Sequence, residues 1–66
     1  MNLIINGTTE IFNNGLTVSD LIKEKNLPES GTAVAINGRL CLKKNWTDTV
    51  LKDGDIINLI SAAFGG

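Results

Sequence analysis

The residues of this sequence that are best suited to take part in a reaction lie at its C-terminal end. Residues 61–66 read Ser-Ala-Ala-Phe-Gly-Gly. This segment has no charged side chain and follows an apolar, strand-like run. Six extended residues reach at most ~20 Å, so a terminal carboxylate on Gly66 would stand clear of a folded domain. Because glycine has no Cβ, a Gly-Gly end passes through channels too narrow for other residues. We therefore predict a carboxylate that is presented to another protein's active site, the alternative being a frayed terminus without a role.

Four other side chains invite a chemical interpretation, and for each a structural role is favoured. Cys41 lies in an apolar, strand-like pattern, and the chain has no histidine to generate a thiolate, so packing is favoured over reactivity. Asp53 and Asp55 flank a glycine, but two carboxylates are fewer ligands than calcium takes, so a turn is favoured. A lone Trp46 is more often packed at a core edge than used as a partner anchor. No catalytic, metal-binding or cofactor-binding residue is assigned.

The composition removes several functional classes. With no His and no Tyr, the chain lacks the commonest general base and the commonest metal ligand, which excludes Ser-His-Asp triads and histidine-bearing zinc sites. Six Lys and Arg against seven Asp and Glu give a net charge of −1, which argues against nucleic-acid and membrane-surface partners. A chain this short buries only about 60% of its unfolded surface, which leaves little stability for a deep cleft. A non-enzymatic protein is expected.

Three features bear on the compartment. The N-terminal segment has no basic region, and its apolar run stops after three residues. No stretch approaches the ~20 apolar residues of a membrane span. A single cysteine cannot form an internal disulfide, as is typical of intracellular proteins. We therefore expect a cytoplasmic protein that is neither exported nor inserted into a membrane.

The N-terminal half predicts a hairpin followed by a short helix. An Asn-Gly dipeptide at positions 6–7 tolerates the positive φ of a two-residue turn, so residues 1–12 are expected to form an antiparallel hairpin. Thr17 is the expected N-cap of the helix, with Asp20 completing a short capping box. Apolar residues at i, i+3 and i+4 form a stripe that would pack on the hairpin. Pro28 is expected to end the helix after about eight to ten residues.

The C-terminal half predicts three further strands. The small, apolar run at residues 33–36 is typical of a strand buried on both faces, and a second Asn-Gly turn joins it to a strand at residues 39–42. Trp46 is expected in a turn or short 3₁₀ piece over the edge of the core. An Asp-Gly-Asp turn precedes the last strand, at residues 56–60.

The order β-β-α-β-β-β in under 70 residues predicts an α+β domain of the β-grasp, or ubiquitin-like, architecture. We expect a mixed sheet of four to five strands packed on one helix, with the first and last strands parallel at its centre. Residues 1–60 would form the single domain. Residues 61–66 would form an extended diglycine tail that is flexible in the free protein.

Beyond the fold, the chain resembles the sulfur carrier proteins of thiamine biosynthesis, the ThiS family of the ubiquitin-like superfamily. The resemblance covers essentially all 66 residues. It rests on the overall length, Thr17-Val18 at the helix start, Val-Ala-Ile-Asn-Gly at residues 34–38, Trp46, the turn at residues 53–55 and the terminal Gly65-Gly66.

The resemblance implies a carrier that is a co-substrate of partner enzymes. An ATP-dependent adenylating enzyme would activate the Gly66 carboxylate, which would be converted to a thiocarboxylate with sulfur from a cysteine-desulfurase-derived persulfide. Thiazole synthase would then use that sulfur to build the thiazole ring. No bound cofactor is implied for the carrier, because ATP is used by the activating partner. The tail residues that would enter a partner's channel are Gly65, Phe64, Ala63 and Ala62.

Four alternatives stay open at this point. The small subunit of molybdopterin synthase is similar in its fold, diglycine end and thiocarboxylate chemistry. A ubiquitin-like modifier would instead join Gly66 to a target lysine, and a plain interaction module would not use its terminus. An enzyme that depends on Cys41 is the least favoured. In the carrier hypothesis, we expect an apolar partner-binding patch on the exposed sheet face around Leu40, Leu42 and Leu59.

Overall fold

A computed structural model describes residues 1–64 as a five-stranded sheet packed on one helix. The strand order is β2-β1-β5-β3-β4, with β1 and β5 parallel and the other neighbours antiparallel. The predicted β-grasp architecture is confirmed, including the parallel central pair. In chain order the elements are β1 (Asn2–Ile5), β2 (Thr8–Ile11), α1 (Val18–Glu24), β3 (Thr32–Ile36), β4 (Arg39–Cys41) and β5 (Ile56–Ser61), with 3₁₀ turns at Lys43–Asn45 and Ala62–Phe64.

The hydrophobic core lies between one face of the sheet and α1. Along β1 and β5 every second side chain is buried, because successive residues of a strand point to opposite faces. The segment after β4 closes the edge of this core. The buried apolar residues are Leu3, Ile5, Val34, Ile57 and Leu59 from the sheet, Val18, Leu21 and Ile22 from α1, and Trp46 and Leu51 from the segment after β4.

The strand β3 is buried on one face only, so the prediction that it is buried on both faces is wrong. Val34 is 1% exposed and faces the core. On the opposite face Ala33 is exposed and Ala35 is half-buried. Because alanine is small enough to suit either environment, a run of small apolar residues does not distinguish an internal strand with one open face from a strand covered on both.

The four backbone N–H groups at the start of α1 all have partners. Thr17 is the N-cap: its hydroxyl accepts the N–H of Asp20 at 3.1 Å, and the Asp20 carboxylate accepts the N–H of Thr17 at 3.0 Å. This is the predicted capping box. The N–H groups of Val18 and Ser19 donate to backbone carbonyls in the segment 46–49 at 3.0 and 3.1 Å. The helix start is therefore tied both to its own cap and to the chain after β4.

The helix α1 ends after seven residues, and the residue that stops it is Asn26 rather than Pro28. Asn26 has a φ of 56°. The N–H groups of Asn26 and Leu27 donate to the carbonyls of Lys23 and Ile22, the paired bonds of a Schellman motif. Asparagine tolerates this left-handed conformation better than most residues, so the helix is shorter than Pro28 alone predicts.

No helix in residues 1–64 is long and apolar enough to cross a membrane.

Two asparagine side chains hold β5 in the middle of the sheet. Asn6 accepts the N–H of Leu59 at 2.8 Å and donates to the Leu59 carbonyl at 3.2 Å. From the other side Asn37 accepts the N–H of Ile56 at 2.9 Å. Each asparagine opens an Asn-Gly turn, with φ of 49° and 52°. The same residue therefore supplies both the turn and a clamp on β5.

We expect Asp20→Asn to remove the pH-dependent part of the capping box. The hydrogen bond from the backbone N–H of Thr17 lowers the pKa of Asp20 below its ordinary value of 3.8. A lowered pKa stabilises the fold above the unfolded value, and this contribution is lost as pH falls through the folded-state pKa. Wild type should therefore be more stable than the variant at neutral pH and lose that advantage below about pH 4. Chemical denaturation across this range measures the difference, and a pH-independent difference would contradict the assignment.

The variant Asn6→Gly tests the clamp on β5 while preserving the turn. Glycine adopts the required positive φ, but the two hydrogen bonds to Leu59 are lost. We expect the free energy of unfolding to fall by about 1–2 kcal/mol and the amide of Leu59 to exchange faster with solvent. The amide of Ile56, which Asn37 holds, is the internal control. Equal acceleration at both amides would indicate general loosening of the sheet.

Candidate functional site

The tail leaves the molecule from β5, the central strand of the sheet. The structure differs here from the predicted boundary at residue 60, because Ser61 still belongs to β5 and pairs with Thr32. The predicted extended conformation is also wrong for Ala62–Phe64, which form a 3₁₀ turn. Gly65 and Gly66, the proposed channel residue and the proposed site of modification, lie outside the described residues.

Hydrogen bonds to Ser61 and to Gly31 hold this turn. The hydroxyl oxygen of Ser61 accepts the N–H of Ala63 at 3.2 Å and lies 2.9 Å from the hydroxyl oxygen of Thr32. The N–H of Ala62 donates to the carbonyl of Gly31 at 3.2 Å. A side-chain hydroxyl that accepts a nearby backbone N–H favours a turn over extended chain. These contacts are the physical reason that Ala62–Phe64 form a 3₁₀ turn rather than an extended segment.

Phe64 forms one wall of a shallow groove beside the first hairpin and is 53% exposed. The groove is also lined by Leu59 and by Asn6. At its rim the Lys25 ammonium contacts both carboxylate oxygens of Glu10 at 2.6 Å. The last described residue of the tail therefore lies near the Asn6 turn, on the side of the sheet that carries α1.

In residues 1–64, the sheet face opposite α1, called the outer face below, carries no charged side chain. Residues paired across neighbouring strands share a face, so the strand register assigns its members. Its most exposed apolar residues are Ile11 at 81%, Ile60 at 69% and Leu40 at 66%. An uncharged, largely apolar surface of this kind is typical of a protein-binding face. The outer face consists of Asn2, Ile4, Thr9, Ile11, Ala33, Ala35, Leu40, Ile56, Asn58 and Ile60.

Of the three residues around which an apolar patch was predicted, Leu40 and Leu42 are exposed and Leu59 is buried. Leu40 belongs to the outer face, and Leu42 is half exposed next to it. Leu59 is 4% exposed, because it pairs with Val34 and faces the core. Its neighbour Ile60 is the exposed residue of β5 at this point. A shift of one position along a strand moves a side chain to the other face.

Ile56 and Ile60 were missed because β5 is apolar on both of its faces. Four of the five residues at positions 56–60 are Ile or Leu, so apolar alternation alone does not select a face. The one polar residue, Asn58, is exposed and has the same parity as Ile56 and Ile60. That asparagine is the sequence signal that could have placed both isoleucines on the outer face.

Cys41 is a half-buried residue at the end of β4 that contributes to packing around Trp46. Its sulfur lies 3.7 Å from the Thr49 hydroxyl oxygen, and its carbonyl accepts the indole N–H of Trp46 at 3.0 Å. Trp46 is 3% exposed, so its predicted packing role is confirmed. Within residues 1–64 no group of three or more His, Cys, Asp or Glu side chains is arranged to hold a metal ion.

Asp53 and Asp55 are occupied by structural hydrogen bonds, which supports the turn prediction for this segment. The Asp53 carboxylate accepts the backbone N–H of Asn2 at 2.6 Å. The Asp55 carboxylate accepts the backbone N–H of Lys52 at 2.8 Å and the side-chain amide of Asn37 at 3.0 Å. These carboxylates therefore tie the start of β5 to both neighbouring hairpins.

Comparisons with known proteins agree with this geometry. The ThiS family model matches residues 3–66. The sulfur carrier protein ThiS of Escherichia coli K12 is 33% identical over 52 residues, which covers 79% of each chain. The crystal structure of the thiamine biosynthesis protein ThiS from Geobacter metallireducens has a TM-score of 0.83 at 25% identity, covering 92% of this chain and 93% of that one. An NMR solution structure of a thiamine biosynthesis protein from the same organism has a TM-score of 0.78 at 25% identity, covering 91% and 81%.

The family match extends through the C-terminal diglycine, and the structural match covers 92% of the chain. The two comparisons agree with each other. The chain therefore belongs to the ThiS family.

Proposed function

We propose that this protein is a sulfur carrier in thiamine biosynthesis and that it carries sulfur as a thiocarboxylate at Gly66. The observation that carries the proposal is the family match over residues 3–66, which includes the terminal diglycine. The Escherichia coli relative is a sulfur carrier protein. The protein supplies a carboxylate and a surface that identifies it, while the reactive groups belong to partner enzymes.

The chemistry requires activation because a carboxylate is a poor electrophile. An adenylating enzyme would join the Gly66 carboxylate to AMP and release pyrophosphate from ATP. A persulfide sulfur, derived from a cysteine desulfurase, would attack the acyl carbon and displace AMP. A thiol would then attack the donor-side sulfur of the resulting S–S bond, form a disulfide with it and release the thiocarboxylate, whose sulfur thiazole synthase would accept. ATP is bound by the partner, and because the reaction consumes ATP we place the carrier in the cytoplasm.

The tail must straighten to enter a partner's active site. A 3₁₀ turn rises ~2.0 Å per residue and an extended chain ~3.3–3.6 Å, so straightening residues 62–64 lengthens the tail by about 4 Å. The turn is held by two backbone N–H donors, on Ala62 and Ala63, with bonds of 3.2 Å. Each such bond contributes only about 1 kcal/mol, less than a docked interface supplies. We therefore propose that Ala62, Ala63, Phe64 and Gly65 lie extended in the partner's channel.

The part of the outer face that lies on β5 is the surface that we propose docks on the activating enzyme. Ile56 and Ile60 are 49% and 69% exposed, and both lie on the strand that continues into the tail. Covering this face buries apolar area without removing any charge from water, which is the favourable case for association. Docking of β5 would also fix the place where Gly66 enters the partner.

Intact-mass spectrometry tests the proposed chemistry. After incubation with the cognate adenylating enzyme, ATP and a persulfide donor, we expect one oxygen to be replaced by sulfur, and fragmentation should place the change at Gly66. A chain with one alanine added after Gly66 should stay unmodified, since its carboxylate no longer follows the diglycine. A plain carboxylate in wild type would overturn the proposal. A ladder of covalent conjugates with other proteins would identify a modifier instead.

The variant Ile60→Asp tests the docking face. A carboxylate at this position would have to be buried without a partner, so we expect the rate of adenylation at low carrier concentration to fall about tenfold or more. Ile11→Asp is the matched control, because Ile11 is also exposed on the outer face but lies on the edge strand β2, which β1 separates from β5. Both positions are exposed, so circular dichroism should report folded variants. Equal loss in both variants would contradict a docking site centred on β5.

A further inference from the structure

The charges of this protein are segregated along the chain. Four of its six basic residues lie in the segment 39–52, which contains one acidic residue and so carries a net charge of +3. The remainder holds two basic and six acidic residues, a net charge of −4. The overall value of −1 therefore conceals an uneven distribution of charge along the chain. The basic residues of the segment are Arg39, Lys43, Lys44 and Lys52.

Two of these cations border a groove along β4, which is an edge strand of the sheet. Among the described residues 1–64, none of those that line the groove carries a carboxylate. Its apolar wall is open to solvent, with Leu40 66% and Leu42 50% exposed. The lining residues are Ile36, Arg39, Leu40, Cys41, Leu42, Asn45, Thr49 and Lys52.

The cations at this groove are unpaired in the part of the chain that the structure describes. The ion pair found in residues 1–64 joins Lys25 to Glu10, at the other end of the sheet. Asp55 is close to Lys52, but its carboxylate accepts the backbone N–H of Lys52 and the amide of Asn37. Positive charge therefore remains available beside exposed leucines, and this combination attracts carboxylates together with apolar side chains.

The groove continues around the sheet edge from the outer face. Leu40 belongs to the outer face, while Cys41 pairs with Val34 on the side of α1. A partner that covers β5 and extends across β3 would therefore reach the groove. This continuity favours a polypeptide segment of the same partner as the occupant.

We propose that the groove binds an acidic, partly apolar segment of the enzyme that activates Gly66. Its carboxylates pair with Arg39 and Lys52, and its apolar side chains cover Leu40 and Leu42. This inference rests on the proposed function, because it takes that enzyme as the partner. The net negative charge of the remaining surface repels the same segment, so the charge distribution turns β4 toward the enzyme during encounter.

Charge reversal tests the groove. Binding of the full-length carrier to the cognate activating enzyme is measured by calorimetry, and association rates by stopped flow at two salt concentrations. We expect Arg39→Glu and Lys52→Glu each to weaken binding about tenfold, and to reduce the salt dependence of association. Lys23→Glu on α1 makes the same change of net charge at another exposed position and should alter affinity less than about twofold. All three positions are exposed, so amide spectra should show intact folds.

The outcomes separate this inference from the proposed function. If the enzyme binds and adenylates wild type, and Ile60→Asp weakens binding while Arg39→Glu and Lys52→Glu do not, the groove proposal is overturned and the carrier proposal stands. If Lys23→Glu weakens binding as much as the groove variants, the effect comes from net charge and the groove proposal is also overturned. If wild type is neither bound nor adenylated, the proposed function itself fails.

Discussion

The parallel pairing of β1 with β5 is the contact on which the rest of this structure depends. Ile4 and Ile5 lie opposite Ile56 and Ile57, so the first and last strands of the chain are neighbours. Parallel strands need a crossover connection, and here the connection contains β2, α1, β3 and β4. The pairing closes the core and also brings the C-terminal strand to the middle of the sheet.

A central position for β5 determines how the chain end is presented. Both edges of the strand are paired, and the side chains of Asn6 and Asn37 add bonds to its backbone. The strand is therefore a rigid base for the tail, whereas the turn that follows is held by one backbone bond to Gly31 and one bond to the Ser61 hydroxyl. A rigid base with a tail that is easily straightened suits a chain end that must enter other proteins.

A sheet with α1 on one side leaves its other side for recognition. The outer face has no charge, and the basic groove at β4 lies at its margin. In the proposed carrier these two surfaces have different tasks. Apolar burial at Ile60 would provide most of the affinity, while Arg39 and Lys52 would steer and orient the encounter. The chain then needs no reactive side chain of its own, because it contributes a carboxylate and the surface that identifies it.

Features that depend on neighbouring residues were determined by the sequence alone. The capping box of Thr17 and Asp20, the two Asn-Gly turns and the order of the elements follow from side chains within a few positions of one another. The order then predicted the fold. Interactions between residues within a few positions of one another can be predicted without knowing the tertiary structure.

Features that depend on residues far apart were decided only by the tertiary structure. Leu59 faces the core because of its register with Val34, and the apolar pattern of β5 permits either face. The clamp from Asn6 to Leu59 joins residues separated by most of the chain. The 3₁₀ turn at Ala62–Phe64 depends on contacts with Gly31 and Thr32. The tail sequence by itself therefore predicts an extended conformation. In each case the deciding partner is brought near only when β1 pairs with β5 and β5 pairs with β3.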